Sequence, residues 1–138
     1  MRNRARTRPL VLIADDSADI RELYEAYLNV AGNRVETASD GREAVRFARV
    51  SRPDVIVMDL QMPNIDGWAA IRELQRDAST AAIPIIVLPG HDLKEFLGWS
   101  ARAEGAVAYL MKPISPEQMD RAIAARLEQP GSRHDRAV

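Results

Sequence analysis

The sequence predicts an α/β fold, a (βα)5 doubly wound five-stranded parallel sheet, and two observations support this prediction. Five short apolar runs of strand length alternate with amphipathic segments of helical spacing. Strands and helices that alternate along a chain form a parallel sheet covered by helices on both faces. The 138 residues are the usual length of one domain, and they contain no internal repeat. The five runs are 10–14, 34–38, 55–58, 83–88 and 107–111.

The runs differ in character, and the difference indicates where each strand lies. The first, third and fourth are apolar at nearly every residue, as is typical of strands buried on both faces. The second, "RVETA", alternates Val35 and Thr37 with polar neighbours. We therefore expect the second strand at an edge of the sheet.

Each predicted helix begins at a residue that favours a helix N-terminus. Gly32 is the predicted C′ residue of the first helix, and Pro116 the first helical residue of the fifth. The helical spacing predicts inward-facing residues that include Leu23 and Tyr24 in the first helix and Phe96 and Leu97 in the fourth. The predicted caps are Ser17, Asp40, Asp66, Asp92 and Ser115.

Composition excludes several classes of function. There is no cysteine, which removes disulfides, zinc thiolates and thiol nucleophiles and fits a reducing compartment. The apolar run after the first arginines is broken at once by two aspartates, unlike a signal peptide, and no apolar stretch is long enough to span a membrane. The net charge of -1 provides no global basic field for nucleic acid. We expect a cytoplasmic protein that binds neither nucleic acid nor membranes directly.

The termini differ from the centre of the chain. Residues 1–8 carry four arginines and are predicted to be a disordered arm, with a nucleic-acid or lipid tether as the alternative. Residues 9–128 form the predicted domain. Residues 129–138 follow a break at Pro130–Gly131 and are predicted to be a disordered tail.

Charged residues follow three of the predicted strands directly. Asp15 and Asp16 follow the first strand, Asp59 the third and Lys112 the fifth. Ligands of doubly wound sheets bind outside the carboxyl ends of the strands, so these four side chains are expected on one rim. Each also has a simpler explanation: the aspartates could cap turns or helices, and the lysine could be a solvated surface residue.

The four residues together favour phosphoryl transfer. Clustered carboxylates raise one another's pKa unless a cation lies among them, and Mg²⁺ prefers such oxygen ligands. Among 17 arginines and two lysines, the lysine at 112 indicates a selected point charge. Asp59 follows a stiff strand and is the best candidate nucleophile for an aspartyl phosphate. Asp15 and Asp16 can both bind the metal only if the strand ends before them, because strand side chains alternate between faces.

These residues lie in segments that resemble the receiver domain of response regulators. The matching segments are "LIADDS", "VIVMDLQMPNIDGW", "IPIIVL" and "AYLMKP", in the family's order and spacing, and the resemblance covers about residues 9–128. It implies a flavodoxin-like sheet of order 2-1-3-4-5. It also implies a stand-alone two-component signalling protein. Such a protein is not expected to be an enzyme, except that it assists its own phosphorylation and dephosphorylation.

The resemblance implies a role for each site residue. Asp59 is the expected phosphoacceptor, and Asp15, Asp16 and Asp59 are the expected carboxylate ligands of Mg²⁺. The backbone carbonyl of Gln61 is a further expected ligand, and its side chain could tune the lifetime of the phosphate. Lys112 is expected to contact the phosphate, and its bond to Pro113 is expected to be cis.

The stretch "IIVLPGHD" departs from the family pattern. Pro89 stands where the family has a threonine or serine whose hydroxyl bonds the phosphoryl group, and proline has neither a hydroxyl nor an N–H. Gly90 is a small residue that leaves room for the phosphate and retains its N–H as a donor. His91 is a further candidate donor or a solvated loop residue. Tyr109 matches the aromatic switch position, with a half-buried strand tyrosine as the equal alternative.

The resemblance also implies partners. A sensor histidine kinase or phosphotransfer protein would supply the phosphoryl group. No output segment follows the fifth helix, so we expect the signal to pass to another protein. The expected partner surface, also a candidate dimer interface, is helix four, strand five and helix five. It includes Lys94, Trp99, Arg102 and Tyr109, with core packing as the alternative for the tryptophan.

Three other functions can be compared with the same residues. A phosphorylation-independent interaction module on the same fold is the alternative that Pro89 favours. A flavodoxin would need a hydroxyl- and glycine-rich phosphate loop where this chain has "ADDSAD". A haloacid-dehalogenase-type phosphatase would need an acid at the position of Gln61. The residues argue against both the flavodoxin and the phosphatase.

Overall fold

The computed structural model describes residues 8–62, 67–90, 93–100 and 107–128, and at 99, 100 and 107 it describes the backbone alone. In these ranges strands and helices alternate, as the sequence predicts. The strands are β1 (Leu10–Ala14), β2 (Arg34–Ala38), β3 (Val55–Asp59), β4 (Ile85–Leu88) and β5 (Val107–Tyr109). The helices are α1 (Ala18–Val30), α2 (Gly41–Ser51), α3 (Gly67–Arg76), α4 (Leu93–Ser100) and α5 (Pro116–Leu127).

The strands form one parallel sheet in the order β2-β1-β3-β4-β5. This confirms the predicted fold class, strand order and edge position of the second strand. At its carboxyl end, Ala14 of β1 lies beside Met58 of β3, and Asp59 lies beside Leu88 of β4. The residues that follow β1, β3 and β4 therefore meet at the centre of one rim.

Successive residues of the strands point alternately into two apolar layers, one on each face of the sheet. Leu12 and Ile56 point into the layer under α2, α3 and α4, whereas Val11 and Val57 point into the layer under α1 and α5. All four are fully buried, and a side chain of this kind contributes roughly 1.5–3 kcal/mol when it leaves water. The two layers hold the strand ends, and hence the rim, in fixed positions.

Three of the predicted helix caps are confirmed by hydrogen bonds. The Ser17 hydroxyl accepts from the Ile20 N–H at 3.3 Å, and Asp40 Oδ1 accepts from the Glu43 N–H at 2.8 Å. Ser115 forms a reciprocal capping box with Gln118, followed by proline as predicted. Gly32 lies just past the end of α1 with φ 106°, the conformation expected of a C′ glycine. The predicted caps at 66 and 92 lie outside the described residues.

Two strand boundaries were predicted too generously. β4 begins at Ile85 rather than Ile83, because Pro84 has no N–H to continue the ladder, although its carbonyl still accepts from the Ile56 N–H at 3.0 Å. β5 ends at Tyr109 rather than Met111. Beyond it, the Leu110 N–H still bonds to β4, through the Val87 carbonyl at 2.9 Å.

Two apolar helix residues predicted to face inward are exposed instead. Leu23 is 50% exposed and Leu97 is 44% exposed. Each lies about 100° around its helix from a neighbour that is buried, Tyr24 in α1 and Phe96 in α4. The larger aromatic neighbour fills the space under the helix, which leaves the leucine at the rim of the contact.

Arg8, the last residue of the predicted arm, binds the end of α1. Its guanidinium donates to the carbonyls of Asn29, Gly32 and Asn33 at 3.1, 3.2 and 2.9 Å. Carbonyls at a helix C-terminus lack hydrogen-bond donors within the helix, and the guanidinium of Arg8 supplies donors to them. The rest of the predicted arm and the predicted tail lie outside the described residues. Among the helices that the structure describes, none is both long and apolar enough to cross a bilayer.

Candidate metal centre

Three carboxylates converge at the ends of β1 and β3. β1 ends at Ala14, so the alternation of side chains stops before Asp15 and Asp16. Both can therefore turn toward Asp59, the last residue of the neighbouring strand. One carboxylate oxygen from each of the three lies within 4.8 Å of the other two. The structure thus confirms that the first strand ends before Asp15 and Asp16, as a metal site shared by both residues requires.

Burial makes this cluster electrostatically unfavourable on its own. Asp15 and Asp59 are 4% and 1% exposed, whereas Asp16 is open to solvent. The pKa of Asp15 is raised, first by burial and further by the negative charges of Asp59 and Asp16. The Ser17 N–H, which donates to Asp15 Oδ1 at 2.9 Å, and the charge of Lys112 act in the opposite direction.

Lys112 supplies the cationic side of the site. Its ammonium lies 3.1 Å from Asp59 Oδ2, and the peptide bond from Lys112 to Pro113 is cis, as the resemblance implied. Asp59 Oδ1 accepts from the Gln61 N–H at 2.9 Å. Both oxygens of the most buried carboxylate are therefore held by fixed donors.

The donor set fits a hard divalent cation. One ammonium cannot neutralise three carboxylates, and at least two of these carboxylates are removed from water. Mg²⁺ takes oxygen ligands, binds through few carboxylates and keeps several waters, which suits a cluster that is open on the side of Asp16. The residues present therefore match the metal that the fold implies.

The site opens into a cavity of about 580 Å³ with one polar and one apolar side. The polar side is formed by the three aspartates, Gln61 and Lys112. The apolar side includes Tyr24, whose hydroxyl donates to the Ile114 carbonyl at 2.8 Å. Burial and the charges of Asp15 and Asp59 raise the pKa of this tyrosine. Helical spacing predicted Tyr24 as a core residue, but no sequence signal indicated a bond to a residue 90 positions away.

The end of β4 differs from the acidic side of the rim. Pro89 is buried directly after the strand, and Gly90 follows with φ 60°. The side-chain amide of Gln61 lies against Gly90, so closely that a Cβ on the glycine would overlap it and lie 2.9 Å from Nε2. The Gln61 side chain therefore occupies the space where a Cβ of residue 90 would lie. Only the structure could show this, because the contact joins two loops.

Tyr109 and its neighbours form the far side of this rim. Tyr109 is 41% exposed and packs edge-to-face on Phe96, with ring centroids 5.5 Å apart. Phe96 in turn packs against Trp68, with ring centroids 6.0 Å apart. Lys94 is exposed, as the predicted partner surface requires. His91, the Trp99 side chain and Arg102 lie outside the residues that the structure describes.

Known proteins are similar to this chain in sequence. It is 38% identical over 117 residues to protein PilH of Pseudomonas aeruginosa, covering 85% of this chain and 96% of that protein. It is 37% identical over 125 residues to the probable transcriptional regulator ycf27 of Guillardia theta, covering 89% of this chain and 47% of that protein. The chain thus spans about half the length of this regulator.

Solved structures and a family profile agree. The chemotaxis response regulator CheY4 of Vibrio cholerae superposes with a TM-score of 0.76 at 33% identity, covering 86% of this chain and 98% of that one. The receiver domain of sensor histidine kinase PA1611 from Pseudomonas aeruginosa PAO1, solved with a magnesium ion in its active site cleft, gives 0.74 at 30%, covering 86% and 96%. The profile of the response regulator receiver domain matches residues 11–124. The chain therefore belongs to the receiver domain family of two-component response regulators.

Proposed function

We propose that this receiver domain accepts a phosphoryl group on Asp59 from a phosphohistidine of a sensor histidine kinase or phosphotransfer protein. The observation that carries the proposal is the convergence of Asp59 with Asp15 and Asp16, within 4.8 Å, and with Lys112, at 3.1 Å. Asp59 is also buried at the end of a fully buried strand, which holds its carboxylate still. Phosphoryl transfer depends chiefly on such positioning and on charge neutralisation.

In the proposed reaction the Asp59 carboxylate attacks the phosphorus. A P–O bond forms to Asp59 while the P–N bond breaks, and its electron pair stays on the leaving imidazole nitrogen. The Lys112 ammonium and the Gln61 N–H orient the carboxylate beforehand through its two oxygens. As negative charge moves onto the transferred group, the ammonium can donate to a phosphoryl oxygen.

We assign the metal to the three carboxylates. Asp15, Asp16 and Asp59 would hold Mg²⁺, with the backbone carbonyl of Gln61 as a further ligand. When bound, the ion supplies positive charge to the oxygens of the transferred group. The raised pKa of Asp15 supports the assignment: burial raises it first, the charges of Asp59 and Asp16 raise it further, and a bound cation would offset both.

Intact-mass spectrometry after incubation with acetyl phosphate tests the proposal. We expect one phosphoryl adduct with Mg²⁺ and none with EDTA, because the charge of the cluster must be neutralised. Asp59→Asn keeps the size of the side chain and removes the nucleophile, so it should carry no adduct. An equal adduct in this variant, or an adduct that persists in EDTA, would refute the assignment.

Output is proposed to occur by protein–protein contact through α4, β5 and α5. The described part of this surface exposes Lys94, Leu97, Tyr109 and Met111. Pro89 makes the link from phosphate to this surface atypical, because it offers no hydroxyl. The same surface is the candidate dimer interface.

A phosphorylation-independent interaction module is the second candidate, and Pro89 is the observation that favours it. The two candidates differ in their response to beryllofluoride, which mimics the phosphoryl group. If the chain retains the same proteins in a pull-down with and without beryllofluoride, the second candidate holds. If retention changes only when the mimic and Mg²⁺ are both present, the first holds.

A further inference from the structure

A phosphoryl group on Asp59 needs more donors than the charged residues provide. It carries three peripheral oxygens, of which the ammonium of Lys112 and the metal would each serve one. A further protein donor would stabilise the third oxygen, because the Asp59 carboxylate to which the group is attached is buried. The end of β4 provides none on its side chains, since Leu88 is apolar and Pro89 lacks both an N–H and a hydroxyl.

Gln61 is the polar residue positioned to fill this gap. Its backbone N–H donates to Asp59 Oδ1 at 2.9 Å, so the residue is anchored to the phosphoacceptor itself. Its side chain lines the same cavity as Asp59 and Lys112. From there the side chain reaches across the rim to the end of β4.

Gly90 leaves room for the far end of this side chain. A Cβ at Gly90 would overlap Oε1 and Cδ of the Gln61 carboxamide and would lie 2.9 Å from its Nε2. The amide can therefore occupy its place only because residue 90 has no side chain. The contact joins the loop after β3 to the residues after β4, beside the cavity that Gln61 lines.

We infer that the Gln61 carboxamide N–H donates to the third phosphoryl oxygen, and that Gly90 is the positioning residue that keeps this amide in place. The inference deepens the proposed function and rests on it. It assigns to the side chain of Gln61 the contact that a hydroxyl at position 89 would otherwise make. The backbone N–H of Gly90 is the competing donor.

Binding of beryllofluoride in the presence of Mg²⁺ measures this contact. Gln61→Met keeps the length and the packing on Gly90 but has no N–H, so the apparent affinity should fall roughly tenfold, as for one hydrogen bond to a charged group. Gly90→Ala should cause a similar loss by displacing the amide. The Gln61→Met, Gly90→Ala double variant should bind no more weakly than either single variant.

Gly32→Ala is the matched control for backbone strain. Gly32 also has a positive φ, 106°, but a Cβ there would meet nothing within 4 Å. This variant should bind beryllofluoride as the wild type does. In addition, the side-chain NH₂ resonance of Gln61, assigned by its absence in Gln61→Met, should shift in the ¹⁵N NMR spectrum when the mimic binds.

The outcomes separate this inference from the proposed function. If the wild type binds no beryllofluoride and gains no phosphoryl adduct, the proposed function itself fails. A second outcome is that Gln61→Met binds beryllofluoride as well as the wild type does, and that the Gln61 NH₂ resonance of the wild type does not shift. In that case only the inference fails, and the Gly90 N–H is the donor. Additive losses in the double variant would show that Gly90 acts independently of Gln61.

Discussion

The two halves of the rim are built on different principles. The half at β1 and β3 is polar: its aspartates are held by the N–H groups of Ser17 and Gln61 and by the ammonium of Lys112. The half at β4 and β5 is shaped by packing, with a buried proline, a glycine against a side-chain amide and a row of aromatic rings in tilted and edge-to-face contact.

We propose that accepting a phosphate and reporting it are separable in this chain. The charges proposed for the transfer come from residues that follow β1, β3 and β5. The proposed path to the partner surface runs through the end of β4, where Pro89 has neither an N–H nor a hydroxyl to bond the phosphoryl group. Variants in either half should therefore change one property and spare the other.

The largest expected effect is on the packed half. Phe96 is 1% exposed and contacts both Trp68 and Tyr109, so Phe96→Ala should lower the free energy of unfolding by roughly 3–5 kcal/mol. Leu97→Ala, at the exposed neighbour, should cost about 0.5 kcal/mol. Urea denaturation followed by circular dichroism measures both.

The metal site should be insensitive to this change. Where Phe96→Ala is still folded, its Mg²⁺ affinity by calorimetry should equal that of the wild type, because the carboxylates follow β1 and β3. A tenfold weaker Mg²⁺ affinity in the folded variant would show that the two halves are coupled. Equal stability losses for Phe96→Ala and Leu97→Ala would contradict the described packing of α4.

The converse variant is Asp15→Asn. It should weaken Mg²⁺ binding at least about tenfold, because it removes a charged ligand. In EDTA it should nevertheless melt a few degrees higher than the wild type at pH 7. Burial and the neighbouring aspartates raise the pKa of Asp15, so its charged form costs stability that the neutral amide spares.

The sign of the pH dependence follows from the same raised pKa. Without metal, the wild type should lose stability relative to Asp15→Asn as the pH rises above the ordinary aspartate value of 3.8. Differential scanning calorimetry from pH 4 to 8 measures the difference. A variant that melts below the wild type throughout would mean that the Ser17 hydrogen bond outweighs the repulsion.

The smallest effect is expected at position 89. Pro89→Thr restores a hydroxyl at the end of β4, and should enlarge the beryllofluoride-induced shift of the Tyr109 ring resonances with little change in phosphorylation yield. Pro89→Val is the control, because valine has nearly the shape of threonine but no hydroxyl. Equal shifts in both variants and the wild type would show that the switch has been replaced rather than lost.

Local sequence predicted the acidic half well because its residues follow strands with unbroken apolar patterns. Asp15, Asp16 and Asp59 need only the ends of β1 and β3 and the strand order to come together. The end of β1 and the strand order were predicted correctly, and β3 is one residue longer than predicted. The packed half was predicted less well. Spacing could not distinguish Leu97 from Phe96, because adjacent residues at the edge of a helix face both satisfy a 3.6-residue period.

The sequence by itself determined the α/β alternation, the strand order through the family resemblance, the acidic cluster with its lysine, and the missing hydroxyl at position 89. These depend on residue types and on short-range periodicity. Tertiary structure alone decided that Gln61 occupies the space beside Gly90, that Tyr24 bonds the Ile114 carbonyl, and that Arg8 serves the end of α1. Such contacts join side chains to backbone far along the chain, and their positions are set by packing of whole elements rather than by any local pattern.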